Sequence, residues 1–166
     1  MPESVFQFKK FSVSQDRSAM KVGTDGVLLG AWVMPASAAA ILDIGTGTGL
    51  IALMLAQKST AFIDAIDIDR DSCSQAIENV SQSPWPDKIK IVNCPLQEFR
   101  PGKRYDLIVS NPPYFIDSFA ATDEARNITL CLCIIIVCSI SRWSSEAVKC
   151  IGTFLCNSSL ERRIIF

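Results

Sequence analysis

Three glycines at alternate positions, Gly45-Thr46-Gly47-Thr48-Gly49, separate the apolar stretch Ala38 to Ile44 from the apolar stretch Leu50 to Gln57. Alternate glycines allow positive φ at several points of one turn and leave its backbone bare where a strand feeds a helix. A chain built round such a turn is steered toward α/β architecture. The pattern then repeats: Phe62 to Ile68 reads as a second strand, and Asp71 to Val80 as a helix with Ala76, Ile77 and Val80 apolar. Ile89 to Asn93 and Tyr105 to Ser110 read as two further strands, with Pro84, Pro86, Pro101 and Gly102 in the loops between. Thr24 to Trp32 reads as a short helix beside the glycine turn. Strands alternating with helices predict a Rossmann-like α/β fold with a mainly parallel sheet and right-handed crossovers.

At 166 residues the chain fits one domain with three stretches. Residues 1–35 form an N-terminal segment expected to pack on the glycine-turn site. They are rich in Phe and carry Lys9, Lys10, Arg17 and Lys21, which suit phosphate contact or simple solvation. Residues 36–126 form the α/β core. Residues 127–166 are atypical: they hold five of the seven cysteines, and their composition sets two acids, Glu146 and Glu161, against four bases, Arg142, Lys149, Arg162 and Arg163. Periodicity degrades there, and the apolar run Ile128 to Ile140 suits a buried strand or helix better than a membrane span.

Composition removes several chemistries. There is no histidine, which excludes imidazole bases, Ser-His-Asp and Cys-His catalysis, and histidine-ligated metals. No metal is expected, because the odd number of cysteines shows no CxxC pairing. The net charge of −1 and pI near 5.4 do not mark a globally basic nucleic-acid binder, so RNA contact must come from a local patch. The first ten residues lack the order of a secretory signal and no stretch reaches the ~20 apolar residues of a membrane helix, which predicts a cytoplasmic protein.

Two motifs carry the chemistry. The dinucleotide fingerprint GxGxxG needs glycine where Leu50 stands, so a nicotinamide oxidoreductase is the least favoured reading. The GxGxG order after Asp43 resembles the first motif of class I methyltransferases, in which the methionine tail of S-adenosyl-L-methionine lies over the turn. A turn without a ligand is the plainer alternative. Asp67 closes the next strand at about the ~20-residue distance expected of an acid that binds ribose hydroxyls, with Asp69 as the fallback if the register slips by two. Asp69 or Asp71 is expected to cap the following helix. Downstream, Asn111-Pro112-Pro113-Tyr114 follows an apolar strand. A prolyl pair supplies no backbone donors and holds the chain extended, leaving the Asn111 amide oxygen and the Pro112 carbonyl as acceptors for an exocyclic NH2. Tyr114 and Phe115 add flat surfaces for stacking. The structural alternative for this tetrapeptide is a rigid loop after a strand.

With these motifs placed, the first 126 residues resemble the bacterial tRNA1(Val) (adenine-37) N6-methyltransferases. The likeness extends to Phe8-Lys9-Lys10-Phe11, Asp16-Arg17, Ala19 to Gly26, Leu28 to Trp32, Asn79, Ser83-Pro84-Trp85 and Asp106 to Phe115. It implies S-adenosyl-L-methionine as cofactor, a valine tRNA as substrate, and methylation of the adenine 3′ of the anticodon. It also implies cofactor contacts at Asp43, Gly45, Gly47, Gly49 and Asp67, a segment with Met20, Lys21 and Thr24 closing over the cofactor, and target-base contacts at Asn111, Pro112, Pro113 and Tyr114. Pro95 stands where the family places an acid near the cofactor adenine, which leaves Asn93, Leu96 and backbone for that contact. The resemblance stops near Asn127, before the last strands of the usual seven. The expectation is a frameshift or damaged gene end after about residue 126, a sheet with an uncovered edge, and poor solubility or dimerisation. Alternatives are a methyltransferase of DNA adenine or protein glutamine, and a remnant that binds cofactor or RNA without turnover.

Overall fold

The computed structural model describes residues 5–18, 20–35 and 37–111, and the backbone of 134–136. A two-stranded antiparallel hairpin opens it, β1 (Val5–Gln7) against β2 (Ser12–Ser14). Then follow α1 (Thr24–Trp32), β3 (Ala40–Ile44), α2 (Leu50–Lys58), β4 (Phe62–Asp67), α3 (Arg70–Ser81), β5 (Ile89–Asn93), β6 (Leu107–Ser110) and β7 (Ile134–Ile136). The main sheet has the order β5-β4-β3-β6-β7, with β3 to β6 parallel and β7 antiparallel at the edge.

Strands of a parallel sheet are covered on both faces and so read as nearly continuous apolar runs. One face carries Ile41, Ile63, Ala65, Leu107 and Val109 under all three helices; Leu29, Leu53 and Val80 close that core from α1, α2 and α3. Leu42, Ile44, Ile66 and Ile108 face the other way and pack with Leu96, Phe99 and Tyr105. A buried polar pair interrupts this second layer: the Tyr105 hydroxyl donates to Asp64, whose carboxylate also meets Lys103 at 3.0 Å.

Local contacts set several of the helix ends. Gly49 is the N-cap of α2 with φ of 83°, a conformation that favours glycine. Asp69 caps α3 by accepting the Ser72 backbone N–H at 2.9 Å. Lys58 reaches back from α2 and donates to the carbonyls of Gly30, Ala31 and Val33, satisfying the C-terminal end of α1. Helices α1 and α2 approach closely at Gly30, where an added Cβ would meet Met54 Cβ at 3.1 Å.

Register sets the site. Ile44 pairs with Ile66 on one side and Ser110 on the other, so β3, β4 and β6 end nearly together. The chain leaves β3 toward β4 and returns to β6 on β3's opposite side, and ligands of open α/β sheets bind at such reversals. The proposed fate of residues 127–166 lies outside the described residues apart from the β7 backbone.

Candidate functional site

The glycine turn is held from below and from the side. Gly45 and Thr46 donate their backbone N–H groups to the Ile66 carbonyl at 2.9 and 3.1 Å, and Gly49 donates to the Thr46 carbonyl at 2.9 Å. Gly45, Gly47 and Gly49 all take positive φ, at 71°, 55° and 83°. A Cβ on Gly45 would touch nothing within 4 Å, and one on Gly47 would meet only Ser18 Oγ at 3.9 Å. The bare side of the turn therefore borders open space. Gly49 instead sits against Ala76 Cβ, 3.4 Å from where its own Cβ would be.

That space is a cleft of about 610 Å³, within the ~300–1,000 Å³ of ordinary ligand sites. Gly45 to Thr48 line its floor, Asp67 to Asp69 one side, and Cys94 to Gln97 the next. Ser18 and 20–23 form the N-terminal wall, with Asp25 and Gly26 of α1. Asn111, one residue past β6, reaches the same cleft, and its Nδ2 lies 3.6 Å from where a Cβ on Gly26 would stand.

Asp67 sits at the crossing of these walls. Its Oδ2 accepts the Gly47 N–H at 2.8 Å and its Oδ1 the Asp69 N–H at 2.9 Å. Asp69 also borders the cleft but is occupied with Ser72, whose hydrogen bonds hold its carboxyl below the ordinary value. Of the two acids considered, Asp67 closes β4 and Asp69 is the helix cap.

Asp43 lies beneath the turn, fully buried and not on the cleft surface. Its Oδ2 accepts the Thr46 hydroxyl at 2.7 Å, while its Oδ1 has no partner at hydrogen-bond distance. Burial pushes this carboxyl up to about 7; the charge of Asp67 adds to the shift, and the Thr46 hydroxyl and Ala52 N–H pull it back.

Other positions singled out from sequence fall in different places. Lys21 and Leu96 line the cleft. Thr24 is exposed at the start of α1 and Asn93 is exposed at the end of β5, neither on the cleft wall. Asn93 spends its amide on the carbonyls of Asp67 and Ile68, at 3.0 and 2.9 Å, and so braces the end of β4 from behind. Pro112, Pro113 and Tyr114 lie outside the described residues. Ser18, Ser72, Cys94 and Gln97 join the cleft without a motif of their own; only the spacing that puts Ser72 two turns before Asn79 on α3, facing the N-terminal segment, hints at the first two.

Among the described residues no helix is long and apolar enough to cross a membrane. The fold also matches solved structures. P. horikoshii TYW2, solved in complex with MeSAdo, aligns with a TM-score of 0.50 and 17% identity over 59% of this chain and 39% of that one, a likeness of fold. Sequence relatives are much nearer. The tRNA1(Val) (adenine(37)-N6)-methyltransferase of Parabacteroides distasonis is 59% identical over 130 residues, covering 77% of this chain and 55% of that protein. The protein of the same name from Trichodesmium erythraeum is 56% identical over 128 residues, covering 74% and 54%. This chain thus spans about half the length of the curated relatives it matches. The model of the methyltransferase small domain matches residues 18–129, which takes in the glycine turn, Asp67 and Asn111, and by that match the chain belongs to the methyltransferase small domain family.

Proposed function

We propose that this chain is an S-adenosyl-L-methionine-dependent methyltransferase that methylates N6 of the adenine 3′ of the anticodon, adenine 37, of a valine tRNA. One observation carries the reading: Asn111 at the end of β6 opens into the same cleft as the bare glycine turn and Asp67. The names and identities of the relatives support the tRNA substrate. A cytoplasmic location follows from that substrate.

The cleft fits the cofactor. Glycine backbone bordering open space suits a ligand that must approach the turn closely, and the Asp67 carboxylate at the strand end suits ribose hydroxyls. When bound, S-adenosylmethionine supplies an electrophilic methyl group on a sulfonium. Gly45 and Gly47 cradle its polar tail, Gly49 turns the chain into α2, and Asp43 supports the turn from beneath. Leu96 offers an apolar surface to the adenine, Asn93 holds the strand end carrying Asp67, and Lys21 and Thr24 belong to the segment that closes the N-terminal side.

At the target, an exocyclic adenine nitrogen is a poor nucleophile because its lone pair is delocalised into the ring. The Asn111 amide oxygen and the Pro112 carbonyl accept its two hydrogens, which draws the nitrogen toward tetrahedral geometry and stabilises its developing charge. Pro113, which supplies no backbone donor, and Tyr114, as the ring on which the base stacks, complete the proposed motif. Alignment does most of the work, and the proton leaves to water, in keeping with a chain that has no histidine.

The test is transfer of a labelled methyl group to a valine tRNA transcript, followed by nuclease mapping. Label at adenine 37 that falls at least ~100-fold in Asn111→Ala is the expected result. Label on a DNA adenine or a glutamine peptide in preference to tRNA would move the assignment to those substrates. Cofactor binding without transfer to any of them would leave a binding protein.

A further inference from the structure

The N-terminal wall of the cleft is fastened to α3 by a row of polar side chains. Ser72, Gln75 and Asn79 fall on one helical face at spacings of three and four. Ser72 Oγ lies 3.3 Å from Ser18 Oγ, and Gln75 Oε1 accepts the Arg17 backbone N–H at 3.2 Å. Asn79 does more than its neighbours. Its Oδ1 accepts the Ser14 N–H at 2.8 Å, and its Nδ2 donates to the Ser14 carbonyl at 2.9 Å and the Thr48 carbonyl at 2.8 Å.

The side chain is 1% exposed, so an unmade bond there has no water to replace it. Ser14 ends β2 and leads into the wall at Ser18, while Thr48 belongs to the glycine turn that forms the floor. Two sides of one cleft, far apart in sequence, are therefore held by a single amide that does not itself line the cleft. Among side chains of this size only asparagine offers two donors and an acceptor in one plane. Aspartate keeps the shape but has no donors, and leucine has neither.

We propose that Asn79 is a positioning residue that locks the segment 14–22 to the glycine turn, so that wall and floor keep a fixed spacing for the ligand. The ligand half of the test rests on the cofactor reading above; the other half needs no ligand.

Hydrogen exchange by mass spectrometry is run on the free wild-type chain, Asn79→Ala, Asn79→Asp and Gln75→Leu, well below the unfolding temperature of each. Asn79→Ala is expected to exchange about tenfold faster both in 14–22 and in 45–49, with β4 and β6 unchanged, whereas Gln75→Leu accelerates only the first segment. Titration with S-adenosylmethionine should then show Kd raised at least ~10-fold in Asn79→Ala and Asn79→Asp alike. Acceleration confined to 14–22, a uniform rise across the sheet, or wild-type exchange in Asn79→Asp would each overturn the proposal. If Asn79→Ala does not fold, Asn79→Ser is read in the same way. A wild-type chain that binds no S-adenosylmethionine would sink the cofactor reading, while the exchange comparison still decides the coupling.

Discussion

Asp67 Oδ2 receives the Gly47 N–H at 2.8 Å, which ties the centre of the glycine turn to the end of the neighbouring strand. The same carboxylate is thus both a wall of the cleft and a strut for its floor. Hydrogen bonds to charged acceptors contribute about 1.5–3 kcal/mol each. Asp67→Ala is expected to weaken S-adenosylmethionine binding by roughly 100-fold, and Asp67→Asn, which keeps one acceptor for Gly47, by less. Calorimetric titration against wild type, with NAD as the control ligand, measures both. Equal affinity in the wild type and the alanine variant would remove Asp67 from the binding site.

Asp43 makes the chain's stability depend on pH. Its folded pKa of about 7 lies above the ordinary 3.8, so between those values the folded chain holds a proton that the unfolded chain has lost. The contribution of this group therefore falls as pH rises from about 4 to 7 and is level above that. Three pKa units correspond to roughly 4 kcal/mol as an upper bound. Urea midpoints between pH 4 and 8 should decline less steeply in Asp43→Asn than in wild type. An identical slope in both would show that Asp43 titrates normally.

Gly30 is a point of close approach between α1 and α2. A Cβ there would meet Met54 Sδ at 2.5 Å and Met54 Cβ at 3.1 Å, and the second of these cannot swing aside. Gly30→Ala should lose about 1–3 kcal/mol, seen as a lower urea midpoint with an unchanged slope. Affinity for S-adenosylmethionine should stay at the wild-type value, because Gly30 does not line the cleft.

Gly26 lines the cleft beside Asn111. A Cβ there would press on Leu50 Cδ2 at 3.2 Å and rest in ordinary contact with Asn111 Nδ2 at 3.6 Å, so alanine fills the space beside the asparagine proposed to face the base. Gly26→Ala is expected to lower the rate of methyl transfer by about 10-fold or more while changing cofactor affinity less. Single-turnover rates set beside calorimetric affinities separate the two effects. A change in affinity alone would place Gly26 with the cofactor instead.

What could be read in advance was local. Thr24–Trp32 is helical over the range its sequence predicts, and β3 to β6 fall within or close to their apolar runs, because those runs are buried on both faces. Asp67 and Asp69 take separate roles, the first ending a strand and the second capping a helix. What was hidden depends on partners far along the chain. Neither strand of the hairpin stands out, since each has three residues and the hairpin is held by rings beside them, Phe8 stacked on Phe11 and Phe11 edge-on to Trp85. Ser14 finds Asn79 only across a span that periodicity does not sense. Asn93 stands at the position expected near the cofactor, yet its amide turns back to the carbonyls of Asp67 and Ile68 at and just past the end of β4, which accept hydrogen bonds close at hand.

The fastening of the N-terminal segment to α3 also fixes an order of events at synthesis. Ser14 leaves the ribosome well before its partner Asn79, 65 residues later. At elongation rates of about 5–20 residues per second that is a wait of roughly 3 to 13 s. Trp85, which Phe11 meets edge-on, is made later still, so through that interval Phe8 and Phe11 have only each other to stack on. A nascent chain halted short of Asn79 should therefore present an aromatic, adhesive hairpin, the kind of segment that chaperones take up.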